Sequence, residues 1–135
     1  MSMPSSTGSG TEGSKSLAAT AEERFFTLDH VGVVRHVEGV DLTAVVPQVK
    51  RLLDRRGATF EDATEVVNGI TVYTSIAHFA KSGFTMWVKA SEFEGVGILV
   101  DAKVFHDPEG GAAADEELSE FMAELEEGIA GRGLP

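Results

Sequence analysis

His36, Glu38 and Asp41 stand close together in the chain. An imidazole beside two carboxylates, where a strand hands over to a helix, could position a water for hydrolysis. The plainer account of the same residues is structural: Asp41 caps the helix and Glu38 supplies turn polarity. The remaining histidines are His30, His78 and His106. His30 and His36 share one face of a strand, but at ~3.3 Å per residue they are too far apart to hold one ion. No His-x-x-x-His or His-Glu-x-x-His spacing occurs, and there is no cysteine. Gly95 and Gly97 sit in a hairpin rather than before a helix, and Ser82 and Ser91 lack the elbow of a nucleophilic serine. From the residues alone, neither a metal nor a cofactor is expected.

These candidates need elements to hold them. Phe26 to Val37 reads as a first strand, with Val31, Val33 and Val37 on one face and His30, Val34 and His36 on the other. A helix follows. Pro47 would lack a donor and clash inside it, so Pro47 is expected as its first residue, with 41–46 an irregular lead-in. Val46, Val49, Leu52 and Leu53 form its apolar stripe and Gly57 its stop. Lys50, Arg51, Arg55 and Arg56 read as its solvated face. Thr59 to Val67 is a weaker strand running into Asn68-Gly69, a strong two-residue hairpin signal. Three alternating runs then follow, Ile70–Ala77, Phe84–Ala90 and Gly97–Phe105. Aligning the apolar sets of the last two requires a three-residue loop, Glu94-Gly95-Val96, that pairs Phe93 with Gly97. Trp87 falls on the polar side of its strand, either as a contact surface or under the last helix. That helix, from about Ala114 to Ala130, carries Leu118, Phe121, Met122, Leu125 and Ile129 at helical spacing.

The expected fold class is therefore α+β: an antiparallel sheet of about five strands packed on one main helix, plus an acidic amphipathic C-terminal helix. Residues 1–24, rich in Ser, Gly and Thr, are expected to form a disordered tail. Residues 25–111 form the core domain, and residues 112–135 the acidic helix and tail. At 135 residues the chain has room for one domain. Its net charge of −11 lacks a clustered basic face, so nucleic acid is not an expected partner. No segment approaches the ~20 apolar residues of a membrane span, and no apolar run at the N-terminus suggests a secretion signal. A cytoplasmic location suits the absence of cysteine.

The strand, helix and meander order resembles the hotdog fold, in which a sheet wraps a central helix. The resemblance covers Asn68 to Gly110: Asn68-Gly-Ile-Thr-Val, Ala80-Lys-Ser-Gly-Phe-Thr, and the Ala90–Phe105 hairpin. It implies hydrolysis or binding of acyl thioesters and edge-to-edge dimers. Leu28-Asp-His-Val-Gly-Val-Val34 is similar to the opening strand of the glyoxalase-type (vicinal oxygen chelate) proteins, a similarity that would make His30 a metal ligand. The leading expectation is a non-enzymatic binding or assembly domain, homo-oligomeric through a sheet edge or the last helix, with an acyl or other small-molecule ligand possible. The alternative is a hotdog-like acyl-thioester hydrolase or acyl-binding protein using His36, Glu38 and Asp41. A glyoxalase-like metal-dependent protein is the third.

Overall fold

The computed structural model describes residues 22–26 and 29–133. Its elements run β1 (Glu22–Phe26), β2 (His30–Val37), α1 (Leu42–Arg55), β3 (Thr59–Val67), β4 (Ile70–His78), β5 (Thr85–Phe93), β6 (Gly97–Phe105) and α2 (Gly111–Gly133). One antiparallel sheet holds all six strands in the order β1-β2-β6-β5-β4-β3. The expected α+β class is what forms. The extra strand is β1, so Glu22–Arg24, assigned to the tail by composition, pair in the sheet instead. The rest of the expected tail, 1–21, lies outside the described residues.

The meander follows its turn chemistry. Asn68 and Gly69 adopt φ of 52° and 81°, the double positive φ that a type I′ turn requires, and Val67 pairs with Ile70. The β5–β6 loop has three residues: Phe93 pairs with Gly97, and the Val96 N–H donates to the Phe93 carbonyl. That register aligns Met86, Val88 and Ala90 with Val104, Ala102 and Val100 on one face, all fully buried. Both helices cover that face. α1 contributes Leu42, Val45, Val49, Leu52 and Leu53, and α2 contributes Leu118, Phe121, Met122, Leu125 and Ile129.

α1 departs from expectation at its start. The helix begins at Leu42 and runs through Pro47. A proline at this position costs about 3 kcal/mol because it removes one helical bond and crowds the preceding turn. Thr43 and Pro47 are both exposed, so water can reach the carbonyl left without a partner, while Leu42 and Val45 on the opposite face enter the core. Burial of those two side chains, at about 1.5–3 kcal/mol each, outweighs the local penalty. The far end closes as a Schellman motif: Gly57 N–H donates to the Asp54 carbonyl and Ala58 N–H to that of Leu53.

The basic residues of α1 are not all solvated. The Arg56 side chain is 14% exposed; its Nε lies 2.7 Å from Glu117 and its Nη1 2.9 Å from Glu124. Its guanidinium also sits over the Phe121 ring, 5.6 Å from the centroid. Glu117, Phe121 and Glu124 recur at helical spacing, so one arginine clamps a whole stripe of α2. Arg24–Asp115 and Arg35–Glu126 fasten the same helix to β1 and β2. Asp115, Glu117, Glu124 and Glu126 thus hold α2 down.

A pH dependence follows. The Arg56 hydrogen bond holds the Glu124 carboxyl below its ordinary value. A carboxylate whose folded pKa is depressed adds stability at neutral pH and loses it as the pH falls through the acid range. The thermal midpoint is therefore expected to drop as the pH falls below the ordinary glutamate value of 4.5. Arg56→Gln should lower it at pH 7 and flatten that slope. An equally steep slope in the variant would show that the clamp is not its source.

Candidate functional site

The chain leaves β2 with His36 facing away from the helices, opposite Leu99 on β6, and Val37 facing inward opposite Ile98. Glu38 and Asp41 then follow in the exposed corner before α1. Asp41 has the extended backbone of an N-cap (φ −128°, ψ 179°), and its carbonyl accepts the Ala44 and Val45 N–H groups. Its carboxylate makes no capping bond to the helix amides; it accepts the Thr43 hydroxyl instead. That hydroxyl holds the Asp41 carboxyl below the ordinary aspartate range. A carboxylate stabilised in its ionised form is a weak base for drawing a proton from water. The Leu42 N–H turns to Glu92 on β5, whose Oε1 lies 3.4 Å away. Nothing near Leu42 in sequence points to this partner, since fifty residues separate the two.

The three expected residues face different spaces. Asp41 and Glu92 line an open cleft of ≈ 550 Å³ between the α1 entrance and the β5–β6 loop. Glu38 lines another, ≈ 720 Å³, against Ala123, Glu126 and Ile129 of α2. His36 lines neither of these clefts. The side chains on both rims supply acids and no lysine or arginine. A phosphate-bearing ligand would meet repulsion there.

The remaining histidines each have a local contact. His30 Nδ1 is 2.9 Å from Asp29, and its ring lies 5.3 Å from that of Phe105. His78 Nδ1 is 3.2 Å from the Thr85 hydroxyl, and His106 Nδ1 is 2.5 Å from the Asp107 carbonyl. Among the described residues no three of His, Asp and Glu converge on a metal-sized point. Tyr73, buried under α1, donates to Asp62 at 2.8 Å, and Lys50 approaches the same carboxylate at 3.8 Å. Burial and then that bond push the phenol well above its ordinary range, so it stays protonated and fixes β3 to β4.

The sheet's second face carries the other feature. Its cross-strand rows read His30–Phe105–Thr85–His78, Gly32–Lys103–Trp87–Ile76, Val34–Asp101–Lys89–Thr74 and His36–Leu99–Ser91–Val72. No described helix covers this face. Trp87 remains 46% exposed, with its ring 5.6 Å from that of Phe105; Phe105 and Ile76 beside it are only partly buried, as are Leu99 and Val72 two rows away, beyond the Asp101–Lys89 row. Alternation placed Trp87 on this side. Whether another layer covered it depended on where α2 docks, which alternation does not encode.

In comparisons with known proteins, no family model matches the chain, and neither a curated protein nor a solved structure matches it. No helix among the described residues is long and apolar enough to cross a membrane.

Proposed function

We propose that this chain is a non-enzymatic binding or assembly domain that works through the uncovered face of its sheet. The observation that carries the reading is Trp87. A large aromatic side chain stands nearly half exposed beside Phe105 and Ile76, on a sheet face six strands wide. Aromatic residues concentrate at contact surfaces because they give much apolar area for little lost side-chain freedom. The sequence places the expected homo-oligomer at a sheet edge or the last helix; here a second copy would instead cover this face, as would an apolar small molecule or another protein.

The acyl-thioester hydrolase is the alternative, and it has less support. Its carboxylates line separate clefts, Asp41 is occupied by Thr43, and the rims carry only acids where a coenzyme A phosphate would need cations. Two helices share one side of the sheet, so hotdog-like wrapping of a single central helix is a looser description of this packing. Glyoxalase-like metal chemistry would need ligands beside His30, whose Nδ1 faces Asp29 and whose ring lies against Phe105.

A panel of short, long and aromatic acyl-CoA substrates separates the readings. No turnover above spontaneous hydrolysis is expected. Turnover abolished by Asp41→Asn or Glu38→Gln in a protein that still folds would replace the binding domain with a hydrolase.

A further inference from the structure

We infer that the partner of the open sheet face is a second copy of this chain, packed face to face about a two-fold axis that runs parallel to the strands between β5 and β6. The inference rests on the open face being the working surface and adds what covers it and how.

The first argument is charge. Lys89 and Asp101 are cross-strand neighbours on β5 and β6, the two middle strands of six, and both point outward. Neither forms an ion pair with the other or with any described residue. A two-fold axis along the strands places β5 of one copy over β6 of the other at the same height. Lys89 then faces Asp101 of the second copy and Asp101 faces its Lys89, so both charges are paired twice by one operation. An axis across the strands through the same row would instead stack Lys89 on Lys89 and Asp101 on Asp101. Electrostatics therefore chooses the orientation, even where a desolvated pair adds little net affinity.

The second argument is shape. The same operation sets Trp87 against Lys103, a cation over an aromatic face, and Ile76 against Gly32. Phe93 comes over Gly97, which has no side chain. At these positions large residues meet small or complementary ones, while His30 meets His78 at the far end of the face. Sheets packed in this way keep their strand directions within about 30° of each other, so the facing holds best near the axis, where the charges lie.

The third argument is size. Six strands at ~4.8 Å spacing, the four longest of nine residues at ~3.3 Å each, give a face of at most roughly 24 by 27 Å. With side-chain relief, that approaches the ~800 Å² per partner of a stable interface. Smaller ligands would leave most of it wet.

The test is sedimentation of the full chain over a concentration series, with emission from its single tryptophan, Trp87, recorded on the same samples. The wild type is expected as a reversible dimer whose emission shifts to the red on dilution. Lys89→Asp and Asp101→Lys should each weaken it at least about 100-fold, because each sets like charges face to face. The double exchange, Lys89→Asp with Asp101→Lys, should restore the dissociation constant to within about 3-fold, since it rebuilds the same pairs. Each single reversal also sets like charges side by side within one sheet, which the double exchange relieves too, so thermal melts of the variants at a concentration where each is monomeric must match the wild type for the loss to count as one of association. A monomer at every concentration overturns self-association while leaving the open face as a site for another partner. A dimer indifferent to both reversals, with Trp87 emission unchanged on dilution, overturns the interface and the open-face reading together.

Discussion

Gly97→Ala is expected to destabilise the fold by at least about 3 kcal/mol, enough to lower the thermal midpoint by roughly 10 °C or more. Gly97 opens β6 with φ of 137°, a region that side-chain-bearing residues rarely enter, and a Cβ built there would collide with the Val37 carbonyl oxygen. The obstacle is backbone, so no rotamer change relieves it. Moving Val37 would disturb the end of the β2–β6 ladder, where Val37 pairs with Ile98. Gly95→Ala, in the same loop, is the control. Gly95 also has a positive φ, 79°, but its added Cβ would meet nothing within 4 Å, so only the conformational cost of about 1 kcal/mol applies. Thermal melts of the two variants check the account. Equal losses would show that φ alone matters and that the close approach to Val37 does not.

Phe121→Ala is expected to cost about 3–5 kcal/mol. Phe121 is fully buried on the core side of α2, and the Arg56 guanidinium lies over its ring. Removing the ring leaves a cavity and takes away the surface against which the Arg56 clamp rests. The charges on Arg56, Glu117 and Glu124 would then hold a looser geometry. Urea unfolding should show the loss as a lower midpoint. A change under 1 kcal/mol would mean that α2 docks mainly through its ion pairs.

Several of these features are legible in the sequence because the signals are local. Strand alternation together with Asn68-Gly69 determines one hairpin. The parity of Met86, Val88 and Ala90 against Val100, Ala102 and Val104 determines the three-residue loop of the other. The apolar spacing of α2 identifies the face that enters the core. Other features depend on distant partners. Glu22–Phe26 is a short charged run beside a Ser/Gly-rich segment, and it becomes a strand because the edge of β2 offers unpaired backbone groups. Pro47 opposes a helix beginning at Leu42, but burial of Leu42 and Val45 prevails. Glu92 reaches Leu42, and Arg56 reaches Glu117 and Glu124, only after the chain has folded.

The candidate site was legible as residues and not as geometry. His36, Glu38 and Asp41 are close in sequence, but the pleat turns His36 outward and the bend at Gly39 sends Glu38 and Asp41 to separate clefts. Nearness along an extended strand and a turn does not bring side chains to one point, because neighbouring residues point in opposite directions. The open face had the opposite history. Trp87, Phe105, Ile76 and Leu99 come from three strands, and only the register joins them into one surface.

Acrylamide quenching of Trp87 in the full chain, measured across a concentration series, tests the role of that surface most directly, because the chain has one tryptophan and it lies on this face. Quenching that falls as concentration rises, in step with a rising mass, is the predicted result. Trp87 that stays equally open to quencher while the mass doubles would place the assembly surface elsewhere and contradict the account.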